Sequence, residues 1–281
     1  MVEVIVGGGS FTGTCLRQKF DKEGKTYVIM PVESLLDIDG MHHFLSTQPY
    51  NLYYLASYGN LHGQDFIPEI YQACITKLLN LLLAAKGTPC QGMVTAGSTS
   101  EYGNKNEPMA EEMLLEPKTF YAAAKAGATH LAQVWALQNN FPLVIYRPSS
   151  ITGVGEQSIH LIPTLIRSCL FKEPIPFVGE YKHDYINVMD VCDALAVLTE
   201  SANLHKGEIF NVGSETQYSN QEVRDMIEEI TKSKAKIITY AKLNPQNVSD
   251  MWVCDSTKMR SLNWKPKYTL FNTLKEMVKA I

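Results

Sequence analysis

The chain has 281 residues, 45 % hydrophobic and 19 % charged, with a formal net charge of −4. That composition fits a globular protein of one large domain or two unequal lobes, and the acidic balance without a basic run excludes nucleic acid and anionic membrane as main partners. The most apolar run, "LLNLLLAA" at 78–85, is far too short to span a bilayer.

Val2 begins a strand pattern directly, without the basic and apolar regions of a secretory signal, so a cytoplasmic protein is expected. Short β-branched runs then alternate with helical patterns. "VEVIVG" (2–7), "TYVIMP" (26–31), "NLYYLA" (51–56), "GMVTAGS" (92–98) and "PLVIYRP" (142–148) read as buried strands. The intervening segments at 13–24, 68–87 and 121–140 carry apolar residues at helical spacing. Alternation of this kind predicts right-handed crossovers and a doubly wound parallel α/β sheet. "VESLLDIDGMHHFLSTQ", between the second and third strands, leaves little room for a full helix.

Beyond Pro148 turn signals dominate, with a short helix expected at 161–171. A helix at 190–202 is expected with Asp190 as N-cap, followed by a sixth strand at 207–214 and a helix opened by Ser219 or Asn220. The six cysteines never form Cys-x-x-Cys and are expected as reduced thiols, and no histidine spacing suits a metal.

Two features carry chemistry. Gly7, Gly8, Gly9 and Gly13 lie between the first strand and the first helix, where backbone N–H groups can meet a pyrophosphate at the positive helix end. In "FYAAAKAGATH" (120–130), Tyr121 and Lys125 stand four apart and therefore share a helix face. A free phenol, with a pKa of about 10, is a poor base at neutral pH. A nearby ammonium stabilises the phenolate, and Lys125 can supply it. A fixed hydroxyl opposite would hold a substrate oxygen.

These motifs together resemble the extended short-chain dehydrogenase/reductases, the NAD(P)-dependent nucleotide-sugar epimerases and dehydratases. The family's Gly-x-x-Gly-x-x-Gly falls on Gly7, Ser10 and Gly13, and Tyr-x-x-x-Lys on Tyr121 and Lys125. "TAGSTSEYG" (95–103) resembles the strand end before Tyr-Gly and gives Ser98 the catalytic hydroxyl. "YRPSSITGVG" (146–155), "KHDYINVMDV" (182–191), "IFNVGS" (209–214) and "DSTKMRSLNWKP" (255–266) resemble further signatures of the nucleotide-sugar branch.

The resemblance implies a Rossmann domain at 1–147 completed by 186–213, with a smaller C-terminal substrate lobe at 148–185 and 214–281. It implies cofactor contacts at Gly7, Gly9, Ser10, Phe11, Thr12, Gly13, Glu33, Asp37, Ile38, Leu55, Ala56, Ser57, Tyr121, Lys125, Arg147 and Ser149. It implies substrate contacts at Ser98, Thr99, Ser100, Ser150, His183 and Arg260. The cofactor is NAD or NADP. Pro31 replaces the usual Asp at the end of the second strand, yet no Lys or Arg occurs from Thr26 to Gln72. NAD is therefore favoured over NADP, whose 2′-phosphate only Arg17 could meet.

Ser150 and His183 stand where an Asn and an Arg are usual, and Cys74 where an Asn often lies near the tyrosine. The implied reaction is hydride transfer at C4 of a nucleotide-linked hexose, by a 4-epimerase or a 4-keto reductase. Thr99 and Ser100 replace the Asp-Glu of 4,6-dehydratases. A shifted register, Thr99-Ser100-Glu101, keeps a dehydratase as the alternative, beside a catalytically silent dinucleotide-binding regulator. Helices at 67–86 and 120–138 pair in homodimers of this family, with Leu78, Leu82, Val134 and Trp135 as candidate contacts or as core.

Overall fold

The computed structural model describes residues 1–59, 63–240 and 251–281. In chain order its elements are β1 (Val2–Val6), α1 (Phe11–Glu23), β2 (Tyr27–Met30), α2 (Ile38–Leu45), β3 (Tyr50–Tyr54) and α3 (Ile67–Tyr71). Next come α4 (Lys77–Ala85), β4 (Cys90–Ala96), α5 (Phe120–Gln138), β5 (Leu143–Pro148), β6 (Ser150–Thr152), α6 (Leu161–Phe171), β7 (Pro174–Phe177) and β8 (Lys182–Asn187). The chain closes with α7 (Val188–Ser201), β9 (Ile209–Val212), β10 (Gln217–Ser219), α8 (Asn220–Thr231), β11 (Lys236–Tyr240), α9 (Thr257–Arg260) and α10 (Leu270–Lys279).

Two compact units divide these elements. The first comprises 1–103, 111–148 and 192–211, and holds a sheet of order β2-β1-β3-β4-β5-β9. The β2-to-β5 pairings are parallel. Parallel strands need both faces covered, and Val4, Val6, Leu52, Leu81, Leu82, Met93 and Ile145 meet in one buried cluster. Leu78 and Leu82 belong to it, so they serve the core and not an outer surface. The chain runs from β1 outward to β2 and then back past β1 to β3. That reversal is the switch point at which open α/β sheets bind ligands, beyond the carboxyl ends of the strands.

The second unit comprises 104–110, 149–191 and 212–281. It contains the small sheets β10-β8-β6 and β11-β7, packed with α6, α8 and α10 around Leu165, Phe177, Ile227 and Leu274. These short strands lack the long apolar runs by which the strands of the first unit are legible.

Several expectations are corrected at element ends. The segment after β2 does fold, as a 3₁₀ turn (Val32–Leu36) followed by the two-turn α2. α7 starts at Val188, so Asp190 is inside its first turn, and its carboxylate accepts from Lys267 and Tyr268 N–H instead of capping. Asn187 Oδ1 takes the Met189 N–H at 2.8 Å. The expected 67–86 helix is interrupted by a π turn at Gln72–Thr76. At α8 the cap is Ser219, in a reciprocal box with Glu222.

Candidate active site

The glycine loop follows β1 at the switch point. Gly7 has φ +88°, and a Cβ there would come within 2.7 Å of Ala56 N, so only glycine fits. Ser10 N–H donates to Gly7 O at 2.9 Å, and Ser10 Oγ caps α1 by accepting from Gly13 N–H at 3.1 Å. A Cβ on Gly13 would lie 2.2 Å from Gly7 O, so α1 approaches the loop through that missing side chain. A Cβ on Gly9 would meet nothing within 4 Å. The first turn of α1, with Phe11 and Thr12, holds no acidic residue. The loop is thus a cradle with one face unobstructed by the described residues, set at the positive end of a helix. These residues fit a dinucleotide pyrophosphate.

At the neighbouring strand end, Leu55 and Ala56 are buried and Ser57 is exposed. Glu33 is exposed on the 3₁₀ turn, Asp37 caps α2 by accepting from Gly40 N–H at 2.9 Å, and Ile38 is half-buried beside it. Arg17 reaches back along α1 to donate to Gly8 O at 3.3 Å, and its Nε is buried without a partner. Ser149, directly after β5, likewise keeps a buried hydroxyl without a partner.

Tyr121 is the second residue of α5, whose N-cap Thr119 accepts from Ala122 N–H. Its ring packs against Ile70, Cys74 and Ala124, so the π turn that carries Cys74 supports the phenol. Lys125 is buried, donates through Nζ to Ala96 O at 2.9 Å and stands 5.9 Å from the Tyr121 ring centre. An ammonium has further donors beyond that bond. Ser98 lies just past β4 as the N-cap of a 3₁₀ turn, Thr99–Tyr102. Its Oγ accepts from Ser100 N–H at 3.2 Å and shares a 2.7 Å hydrogen bond with Ser100 Oγ, while Thr99 is buried. Ser98 and Lys125 thus attach to one strand end, and Tyr121 lies one helical turn before Lys125.

The Arg147 guanidinium faces inward: it is 1 % exposed, and its Nε and Nη2 each lie 2.8 Å from Glu101 Oε2. Its Nη1 donates to Tyr102 Oη at 2.8 Å, and that hydroxyl donates to Asn211 Oδ1. Burial alone would lower the Arg147 pKa, and the Glu101 carboxylate beside it reverses this to a net rise. Glu101 itself was visible in the sequence only as a dehydratase acid of the shifted register. It is fully buried and bound to Arg147, Thr129 and the Ser98 N–H, which removes it from acid chemistry on a substrate.

In the second unit, Ser150 Oγ and His183 Nδ1 lie 3.4 Å apart, with Tyr185 and Trp252 rings at 5.5 and 6.5 Å from the imidazole. Burial pushes the His183 pKa down to about 4, so the ring is neutral at pH 7. Arg260 is paired with Glu215 and donates to Thr257 Oγ1 at 2.6 Å. Among the described residues no cluster of His, Cys, Asp and Glu could hold a metal ion, and no helix is long and apolar enough to cross a membrane.

A parallel sheet with a glycine cradle at its switch point and a Tyr-x-x-x-Lys helix beside it defines a dinucleotide-binding short-chain dehydrogenase/reductase fold. The profile of the NAD dependent epimerase/dehydratase family matches residues 4–213, and the chain belongs to that family. It is 28 % identical over 185 residues to the low-salt glycan biosynthesis protein Agl12 of Haloferax volcanii, a match over 64 % of this chain and 59 % of that protein. The chain therefore spans less than two thirds of that relative. It is 22 % identical over 303 residues to the GDP-6-deoxy-D-mannose reductase of Pseudomonas aeruginosa, covering 98 % of this chain and 95 % of that one. The solved UDP-glucose 4-epimerase of Thermus thermophilus, in complex with NAD, has the same fold, with a TM-score of 0.88 and 20 % identity over 100 % of this chain and 98 % of that one.

Proposed function

We propose that the protein catalyses NAD(P)-dependent hydride transfer at C4 of a nucleotide-linked hexose, as a 4-epimerase or 4-keto reductase. The observation that carries this is the joint anchoring of Lys125 and Ser98 at the end of β4, with Tyr121 one turn from Lys125. A dinucleotide in the glycine cradle would supply the hydride donor and acceptor. Tyr121 Oη would take or return the proton of the C4 hydroxyl, and the Lys125 ammonium would favour its phenolate form. Ser98 Oγ would orient the same oxygen, its backbone held by the Glu101 carboxylate.

The full-length match to a GDP-6-deoxy-D-mannose reductase supports the reductase arm, and the NAD-bound epimerase of like fold supports the epimerase arm. Burial of Glu101 disfavours elimination of water, and the intact Tyr121–Lys125 pair disfavours a silent regulator. NAD is favoured over NADP because Arg17, the candidate donor to a 2′-phosphate, already serves Gly8 O. Ser150, His183 and Arg260 are the proposed contacts to the substrate diphosphate, with Lys182 and Arg167 as further cations. Homodimerisation is proposed through the α3–α4 and α5 faces, where Ile67, Tyr71, Val134 and Leu137 are exposed.

The test is to identify the co-purified dinucleotide and assay UDP-, GDP-, CDP- and dTDP-hexoses and their 4-keto forms. On the sugar turned over, Tyr121→Phe should lower kcat by about 100-fold or more with dinucleotide affinity kept. Full turnover by that variant would sink the proposed mechanism.

A further inference from the structure

The carboxylate behind Ser98 joins three parts of the first unit. Glu101 Oε1 accepts from the Ser98 N–H at 2.7 Å and from Thr129 Oγ1 at 3.1 Å. Its Oε2 receives the Arg147 fork from β5. Thr129 lies one turn beyond Lys125 on α5, the helix that also presents Tyr121. One buried group therefore ties the turn bearing the candidate hydroxyl to the helix bearing the candidate acid/base pair. Room for it comes from Gly97, where a Cβ would stand 2.7 Å from Glu101 Oε1 and 3.2 Å from Thr129 Oγ1.

A buried ion pair is weak evidence for stability, because desolvation offsets the attraction. What it does supply is geometry, since Arg147 holds Oε2 while the Ser98 N–H and Thr129 Oγ1 hold Oε1, so both carboxylate oxygens are fixed. Glu101 is 0 % exposed, so it has no path to a substrate proton.

We propose that Glu101 is a positioning residue that sets the distance between Ser98 and the Tyr121–Lys125 pair by bonding the Ser98 turn and α5 to one carboxylate. Arg147, with Nε and Nη2 both on Oε2, holds that carboxylate in place. The assignment rests on the proposed hydride-transfer reading and deepens it.

A mutant cycle tests this with the full chain, combined with amide hydrogen exchange on the protein without substrate. Glu101→Gln and Thr129→Val should each lower kcat by about 10- to 100-fold, with KM and dinucleotide affinity changed by less than about threefold. On a Ser98→Ala background, followed by single turnover, the Glu101→Gln loss should shrink to within about twofold, because the hydroxyl it positions is gone. In Glu101→Gln and Thr129→Val alike, the Ser98 amide should exchange at least about tenfold faster than in the wild type. An undiminished loss on the Ser98→Ala background, or an unchanged Ser98 amide, would overturn the proposal. Should Glu101→Gln fail to fold, Thr129→Val, which removes one hydroxyl and no charge, takes its place in both measurements. A wild type that turns over no nucleotide sugar would overturn the proposed activity, and the exchange measurement would still decide whether Glu101 holds Ser98.

Discussion

His183 stands where the family motif usually has an arginine, and its environment goes further by removing the charge that an imidazole could carry. The ring is crowded by Tyr185, Trp252 and the Ser150 hydroxyl, and burial holds its pKa near 4 against an ordinary 6.5. A diphosphate would meet a hydrogen-bonding group there and no cation at pH 7. The same depression has a stability consequence. As the pH falls below 6.5 the unfolded chain takes up the proton before the folded one, so the neutral ring's contribution is complete above pH 6.5 and is lost toward pH 4. From that shift the loss is on the order of 2–3 kcal/mol. Denaturant unfolding at pH 7 and pH 4.5 should therefore show a steeper fall for the wild type than for His183→Gln. Equal slopes would mean that the ring is freely protonated. The shared helix face of Tyr121 and Lys125 was legible at this scale because four residues make about one helical turn. The Glu101–Arg147 pair was not, because its members lie 46 positions apart and meet only once β4 and β5 are neighbours.

Among the elements, the loop between β1 and α1 separates two uses of glycine. Gly13 is required by packing, since its Cβ would collide with Gly7 O, whereas Gly9 faces open space. Gly13→Ala should destabilise the fold by about 1–3 kcal/mol as the helix is pushed off the loop. Gly9→Ala should leave stability within about 0.5 kcal/mol of the wild type and still weaken dinucleotide binding. Thermal unfolding and dinucleotide titration of both variants check this. Equal stability losses would show that Gly9 too is a packing position. The inner strands of this unit were readable as apolar runs because β1, β3, β4 and β5 are largely buried, whereas the edge strand β2 leaves Val28 and Ile29 exposed. The π turn at Gln72–Thr76 left no such mark, because one extra residue per turn depends on what α3 and α4 pack against, here the cluster that holds Tyr121.

For the whole molecule, the first unit exposes apolar side chains on α3 and α5. Val134 is 52 % and Leu137 69 % exposed, whereas Leu78 and Leu82 are fully enclosed by the sheet. If Val134 and Leu137 belong to the proposed dimer face, Val134→Glu with Leu137→Glu should halve the sedimenting mass and leave the circular dichroism spectrum unchanged. An unchanged mass would remove this face from the assembly.

By itself the sequence determined the alternation of strands and helices, the cradle between β1 and α1, and the Tyr121–Lys125 spacing. All of these are set by the local backbone period and by where glycine alone can fit. Only the tertiary structure decided that Arg147 turns inward to a buried carboxylate, that His183 is neutral, and which leucines face the core. Those outcomes depend on desolvation and on partners brought together from distant parts of the chain.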